Sequence, residues 1–205
     1  MGGPRVVVVD YGMGNLRSVA KALERVGAQV LVSSRPRDVE HAERLVVPGV
    51  GAFAAAMAEL HQRDLVEPLR RYLEEDRPFL GICLGLQLLM QTSYEDGEHQ
   101  GLGFLEGDVV RFEPRDRGLK VPHIGWNELR MRPGVPLFAG VPEGVSVYFV
   151  HSYYVRPRGA VVAAETEYDG PFCSAVWQGR CFATQFHPEK SQKVGLQILA
   201  NFVSL

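Results

Sequence analysis

Residues 5–34 read RVVVVDYGMGNLRSVAKALERVGAQVLVSS. The opening RVVVVD, Arg5 to Asp10, is short, rich in Val and closed by the turn sequence YGMGN, which is the pattern of a strand buried on both faces. Leu16, Val19, Ala20, Leu23 and Val26 then recur at three- and four-residue spacing, and Gly27 stands where a left-handed cap is wanted. That is an amphipathic helix. AQVLVSS, from Ala28, is strand-like again, and two consecutive strands joined through a helix lie parallel.

The alternation continues outward. RLVVPG from Arg44 is an apolar run ending at a turn, Asp64 to Glu75 is helical, and PFLGI, Pro78 to Ile82, is another buried strand. The expected fold is α/β: a doubly wound, mostly parallel sheet with helices on both faces, whose ligand sites collect at the carboxyl ends of its strands. After about Gly101 come shorter β-like stretches, GDVVRF, VSVYFVHSYY, AVVAAET, CSAVWQ and RCFATQF, broken by Pro and Gly turns. They predict a mixed or antiparallel β extension of the sheet in the C-terminal half. A last helix starts after Ser191, its expected N-cap, with Val194, Ile198, Leu199 and Phe202 facing inward. No repeat, low-complexity tract or linker interrupts the chain, so residues 1–205 are expected to form one domain, with Met1 to Pro4 frayed ahead of the first strand.

The bulk numbers exclude several classes. With 46% hydrophobic residues, 22% charged and a net charge of −2, the chain has an ordinary soluble balance and none of the basic excess that would point to nucleic acid. No apolar run approaches the roughly 20 residues that cross a bilayer, and the N-terminus lacks a signal pattern, so a cytoplasmic location without membrane contact is expected. Cys83, Cys173 and Cys181 are odd in number and lack metal-ligand spacing. A disulfide framework or zinc ribbon is disfavoured, and one cysteine is left as a candidate reactive thiol.

PFLGICLGLQLLM places that candidate, Cys83, between a buried strand and an apolar helix, with Gly81 and Gly85 two residues to either side. This is a nucleophile elbow with Cys in place of Ser, where a thiolate would face free N–H groups. A buried structural cysteine is the plain alternative, and the Gly-x-Cys-x-Gly setting weighs against it. CFATQFHPEKS offers a base and an orienter in His187 and Glu189. Two apart on an extended backbone, they point to the same side, and Pro188 keeps His187 out of a helix. By itself, His-Pro-Glu reads equally well as a surface turn. In VVPGVGAF, Val46 to Phe53, the glycines at 49 and 51 let the backbone approach a ligand and aim an N–H at an oxyanion, with the N–H of Leu84 as second donor. A simple strand-to-helix turn would need the same glycines.

The strings PGVGAF, GICLGLQ and HPE, in that order, resemble the triad (class I) glutamine amidotransferases, and the resemblance spans nearly the whole chain. It implies a doubly wound α/β fold, glutamine as substrate, and no metal or organic cofactor. Cys83 would be the nucleophile, His187 the general base and acid, and Glu189 the residue that orients His187. Gly51 and Leu84 would form the oxyanion hole, and Gly49, Gly51, Gln87, Ser152 and Tyr153 would contact glutamine. DYGMGNL (10–16), PHIGWN (122–127) and YFVHSYY (148–154) are similar to strings of those members that serve as separate glutaminase subunits. The implied partner is a cyclase (synthase) subunit of (β/α)8-barrel fold in a heterodimer, with Asn15, Trp126, Tyr148 and Lys190 at the interface. The same resemblance implies a glutaminase that is slow alone and switched on by its loaded partner. Other readings are a glutaminase subunit for another pathway, a γ-glutamyl hydrolase, or a catalytically silent partner-binding subunit.

Overall fold

The computed structural model describes residues 3–115 and 118–205. Its first half runs β1 Arg5–Val9, α1 Leu16–Arg25, β2 Gln29–Ser33, α2 Pro36–Glu40, β3 Leu45–Gly49, α3 Phe53–Gln62, α4 Val66–Glu74, β4 Phe79–Cys83 and α5 Leu84–Gln87. The second half holds β5 Met90–Ser93, β6 His99–Gln100, β7 Leu105–Arg111, β8 His123–Glu128, β9 Arg130–Met131, β10 Ser146–His151, β11 Tyr153–Pro157, β12 Val162–Glu167, β13 Pro171–Gln178, β14 Cys181–Thr184 and α6 Gln192–Ser204. Single 3-10 turns lie at Pro136–Phe138 and Pro188–Lys190.

One large sheet runs in the order β2-β1-β3-β4-β14-β13-β11-β7-β5-β6. From β2 to β14 all neighbours are parallel. From β14 to β7 they are antiparallel, and β12 adds a further antiparallel partner to β13. The doubly wound sheet and its mixed extension are both present. Why RVVVV makes a central strand is visible in its burial: Val7 and Val9 face one core with Leu45, Val47 and the inner residues of α3 and α4. Val6 and Val8 face the other with Val46, α1 and α6. A strand buried on both faces has no polar side to show.

Three expectations are corrected. LGLQLLM forms only one helical turn, α5, and the chain returns to β-structure at Met90. The apolar run is buried whichever way it is folded, so hydrophobicity alone left helix and strand undivided. VSVYFVHSYY is two strands rather than one: β10 pairs with β8 in a separate two-stranded ribbon, and after Ser152 the chain enters the main sheet as β11. Pro4 is not frayed, since its carbonyl accepts the Gln29 N–H at 2.9 Å. Met1 and Gly2 lie outside the described residues. Among the described residues no helix is long and apolar enough to cross a membrane.

Candidate active site

β4 ends at Cys83, where φ is 55° and ψ −107°. An L side chain seldom adopts this conformation, so the surroundings must impose it. A Cβ on Gly81 would lie 2.7 Å from the Gly85 carbonyl oxygen, and a Cβ on Gly85 would lie 1.9 Å from that of Val47. The two glycines therefore let α5 press against β3 and β4, and that pressure fixes the elbow. Gly85→Ala is expected to destabilise the protein by about 1–3 kcal/mol, the usual range for overpacking, which a thermal melt reads directly. An unchanged melting temperature would show that α5 has room to move away. Because α5 has a single turn, its macrodipole is small, but the first N–H groups after Cys83 still lack helical acceptors.

His187 follows β14, its N–H donating to the Tyr148 carbonyl at 3.0 Å. Its Nδ1 lies 2.8 Å from Glu189 Oε1, with only 2% and 1% of the two side chains exposed. The other ring nitrogen, Nε2, has no hydrogen-bond partner among the described residues. It is the nitrogen left to address Cys83. Burial opposes a charge on the ring, but Cys83 and Glu189 together outweigh it and raise His187 to about 9. The Ser191 hydroxyl, expected to cap α6, instead donates to the His187 carbonyl at 2.7 Å and accepts the Tyr148 N–H at 3.0 Å. The His187–Ser191 loop and the ribbon are thus tied at two points.

Cys83 opens into a cavity of about 300 Å³. Gly51, Leu84, Gln87, Ser152 and Tyr153 all line it, as do Val50, Glu95 and His151. Gly49 does not. It sits one step behind the wall, where the space a side chain would need is taken by the Tyr11 hydroxyl and Leu84. That Tyr11 hydroxyl donates to the Pro48 carbonyl at 2.9 Å. Gln87 spends its amide N–H groups on the protein, donating to the Tyr153 carbonyl at 3.1 Å and to Gln185 Oε1 at 3.2 Å, so its Oε1 is the atom left for a ligand.

Sequence reasoning missed four residues. Gln185, fully buried, brings its Nε2 to 3.6 Å from Cys83 Sγ. Glu95 accepts the Phe53 N–H at 2.7 Å while facing the cavity. Tyr11 and His151 complete the set. Gln185 was findable, because it precedes His187 by two on an extended segment and so shares its side. The others announce themselves only through partners remote in sequence.

Of the expected interface residues, Trp126 and Tyr148 are cross-strand partners in the ribbon with ring centroids 6.1 Å apart. Lys190 Nζ lies 5.7 Å from the centre of the Tyr148 ring. Trp126 is 49% exposed. Asn15 stands at the start of α1, which packs against the Pro188–Lys190 turn, and its carbonyl accepts the Ser18 and Val19 N–H groups. Among the described residues no group of three or more His, Cys, Asp or Glu could hold a metal ion.

Residues 7–205 match the class-I glutamine amidotransferase family. The chain belongs to that family. Two curated relatives of this amidotransferase carry the name imidazole glycerol phosphate synthase subunit HisH. The one from Syntrophotalea carbinolica is 55% identical over 202 residues, covering 96% of this chain and 98% of its own. The one from Geobacter sulfurreducens is 52% identical over 203 residues, covering 97% of each. Among solved structures, PurLQS from Thermotoga maritima shares the amidotransferase's fold with a TM-score of 0.76 over 98% of each chain, at 18% identity.

Proposed function

We propose that residues 1–205 form a single amidotransferase domain, the glutaminase subunit of an imidazole glycerol phosphate synthase in histidine biosynthesis, working in the cytoplasm. The observation that carries the chemistry is a strained Cys83 at the floor of a cavity, faced by a buried imidazole that a buried carboxylate holds at 2.8 Å. Cys83 Sγ attacks the glutamine carboxamide carbon, and the N–H groups of Leu84 and Gly51 receive the oxyanion. His187 gives a proton to the departing ammonia, leaving a γ-glutamyl thioester. His187 then takes a proton from water as it attacks the thioester; glutamate leaves and the thiol is restored. Glu189 holds the ring through Nδ1 throughout. Glu95 places a carboxylate in the cavity, which suits the ammonium of an amino acid, and Ser152 and Tyr153 line the same cavity.

Ammonia released into water would be protonated and lost as a nucleophile, so the cavity must open toward an acceptor enzyme. The cyclase subunit of (β/α)8-barrel fold fills that role and converts the ammonia into imidazole glycerol phosphate and an aminoimidazole carboxamide ribotide. Trp126, Tyr148 and Lys190, gathered on the exposed face of the ribbon, meet it, together with Asn15. The oxyanion site is the switch. Tyr11 pins the Pro48 carbonyl, while Gly51 has a φ of 105° and Val50 is 40% exposed. The peptide groups that can rotate at low cost are those flanking Val50. Loss of one oxyanion donor costs about 10²–10³ in rate. Glutamate release by the purified chain should therefore rise by about 10²-fold or more when the cyclase and its ribonucleotide substrate are added. No glutamate under either condition would overturn the glutaminase reading, and a rate indifferent to the cyclase would overturn the subunit reading.

A further inference from the structure

His123 and His151, buried side by side, have no place in the chemistry above. His151 Nδ1 lies 2.8 Å from the Tyr153 carbonyl oxygen. A carbonyl only accepts, so this nitrogen carries the hydrogen. Burial holds the ring neutral, its pKa pushed down to about 3, and Nε2 is then a bare acceptor. His123 Nδ1 faces that Nε2 at 3.0 Å and must donate to it. Burial holds His123 neutral too, down to about 4, so its own Nε2 accepts from Asn127 Nδ2 at 3.2 Å. The Asn127 amide cannot be reversed, because its Oδ1 takes the Glu128 N–H at 2.8 Å and its Nδ2 also reaches the Glu167 carbonyl at 2.9 Å. One assignment satisfies every atom, and it runs in one direction: Asn127 to His123 to His151 to the Tyr153 carbonyl.

That carbonyl is also where Gln87 donates, so both of its lone pairs are taken. The chain leaves the ribbon for the main sheet at this place, between β10 and β11. The ribbon, through His151, and α5, through Gln87, are thereby tied to one peptide group of the main sheet. Tyr168 and Phe149 stack on the His123 ring with centroids 4.0 and 4.9 Å distant and hold it in place.

We infer that His151 and His123 are positioning residues for glutamine: their one-way hydrogen-bond chain orients the Tyr153 peptide, and so sets the Ser152–Tyr153 wall against which the amino-acid end of the substrate rests. The inference rests on the glutaminase reading. Two experiments test it. In the complex with the cyclase, His151→Leu should raise KM for glutamine about tenfold, the effect of one hydrogen bond, with kcat changed less than about threefold. His151→Asn, which keeps an N–H donor where Nδ1 stood, should bring KM back to within about threefold of the unmodified protein. Equal rises in both variants, or a loss confined to kcat, would overturn the inference and leave the pair as packing. Nitrogen NMR of the unmodified protein with labelled histidine needs no variant. It should show His123 and His151 as neutral Nδ1–H tautomers at pH 7, and an Nε2–H tautomer or a charged ring at either position overturns the chain. A failure of the glutaminase reading would appear elsewhere, as an unmodified complex that releases no glutamate.

Discussion

Cys83→Ala is expected to lower glutamine-dependent turnover by about 10⁴-fold or more, the scale on which removing a nucleophile from a triad acts. Synthesis from added ammonium salts should survive in the complex, because the variant leaves the proposed cyclase partner untouched. Paired assays with glutamine and with ammonium chloride separate the two. Normal glutamine-dependent turnover would remove Cys83 from the mechanism, and loss of both activities would mean that the variant disrupts the complex. Cys173 and Cys181 are buried and raised in pKa by burial, so their replacement should act through packing alone.

His187→Ala should cost about 10³–10⁴ in kcat, since it removes the proton transfer on both halves of the reaction. Glu189→Gln should cost about 10–100-fold less, because the ring remains and only its alignment and charge partner change. Single-turnover formation of the thioester measures each. Equal and negligible losses would exclude both residues.

The same pair writes itself into the pH dependence of stability. His187 is raised from the ordinary 6.5 to about 9. Between those values the folded protein keeps a proton that the unfolded chain has given up. The stability contributed by the charged ring is complete below 6.5, falls by about 1.4 kcal/mol per pH unit above it, and is gone past about 9. Denaturation of His187→Ala should lack this alkaline slope. His123 and His151 act in the opposite sense. Held neutral in the fold, they withdraw stability as pH falls below 6.5 toward about 4 and about 3.

How much of this was readable in the sequence divides along a physical line. RVVVVD, PFLGI and the Gly81, Cys83, Gly85 spacing are local statements: a strand buried on both faces and an elbow declare themselves in a few residues. VSVYFVHSYY is β-like throughout, and nothing in its pattern marks Ser152 as the point where the chain changes sheets. Cys83, His187 and Glu189 were readable as candidates because each sits in a string with its own turn chemistry. Glu95 was not, since a carboxylate at a cavity edge acquires meaning only from a partner far along the chain, the Phe53 N–H. The length of α5 was hidden for another reason, because a segment buried on every side carries no amphipathic phase.

The left-handed backbone at Cys83 also bears on how the enzyme would fare under selection for heat resistance alone. Glycine is the residue that adopts such a φ without steric cost, so Cys83→Gly should relieve about 1 kcal/mol of local strain, against the loss of a small side chain's packing. A screen that rewards only a higher melting temperature would therefore tend to accept glycine at the position where the proposed chemistry requires sulfur. It would return a sturdier and inert protein.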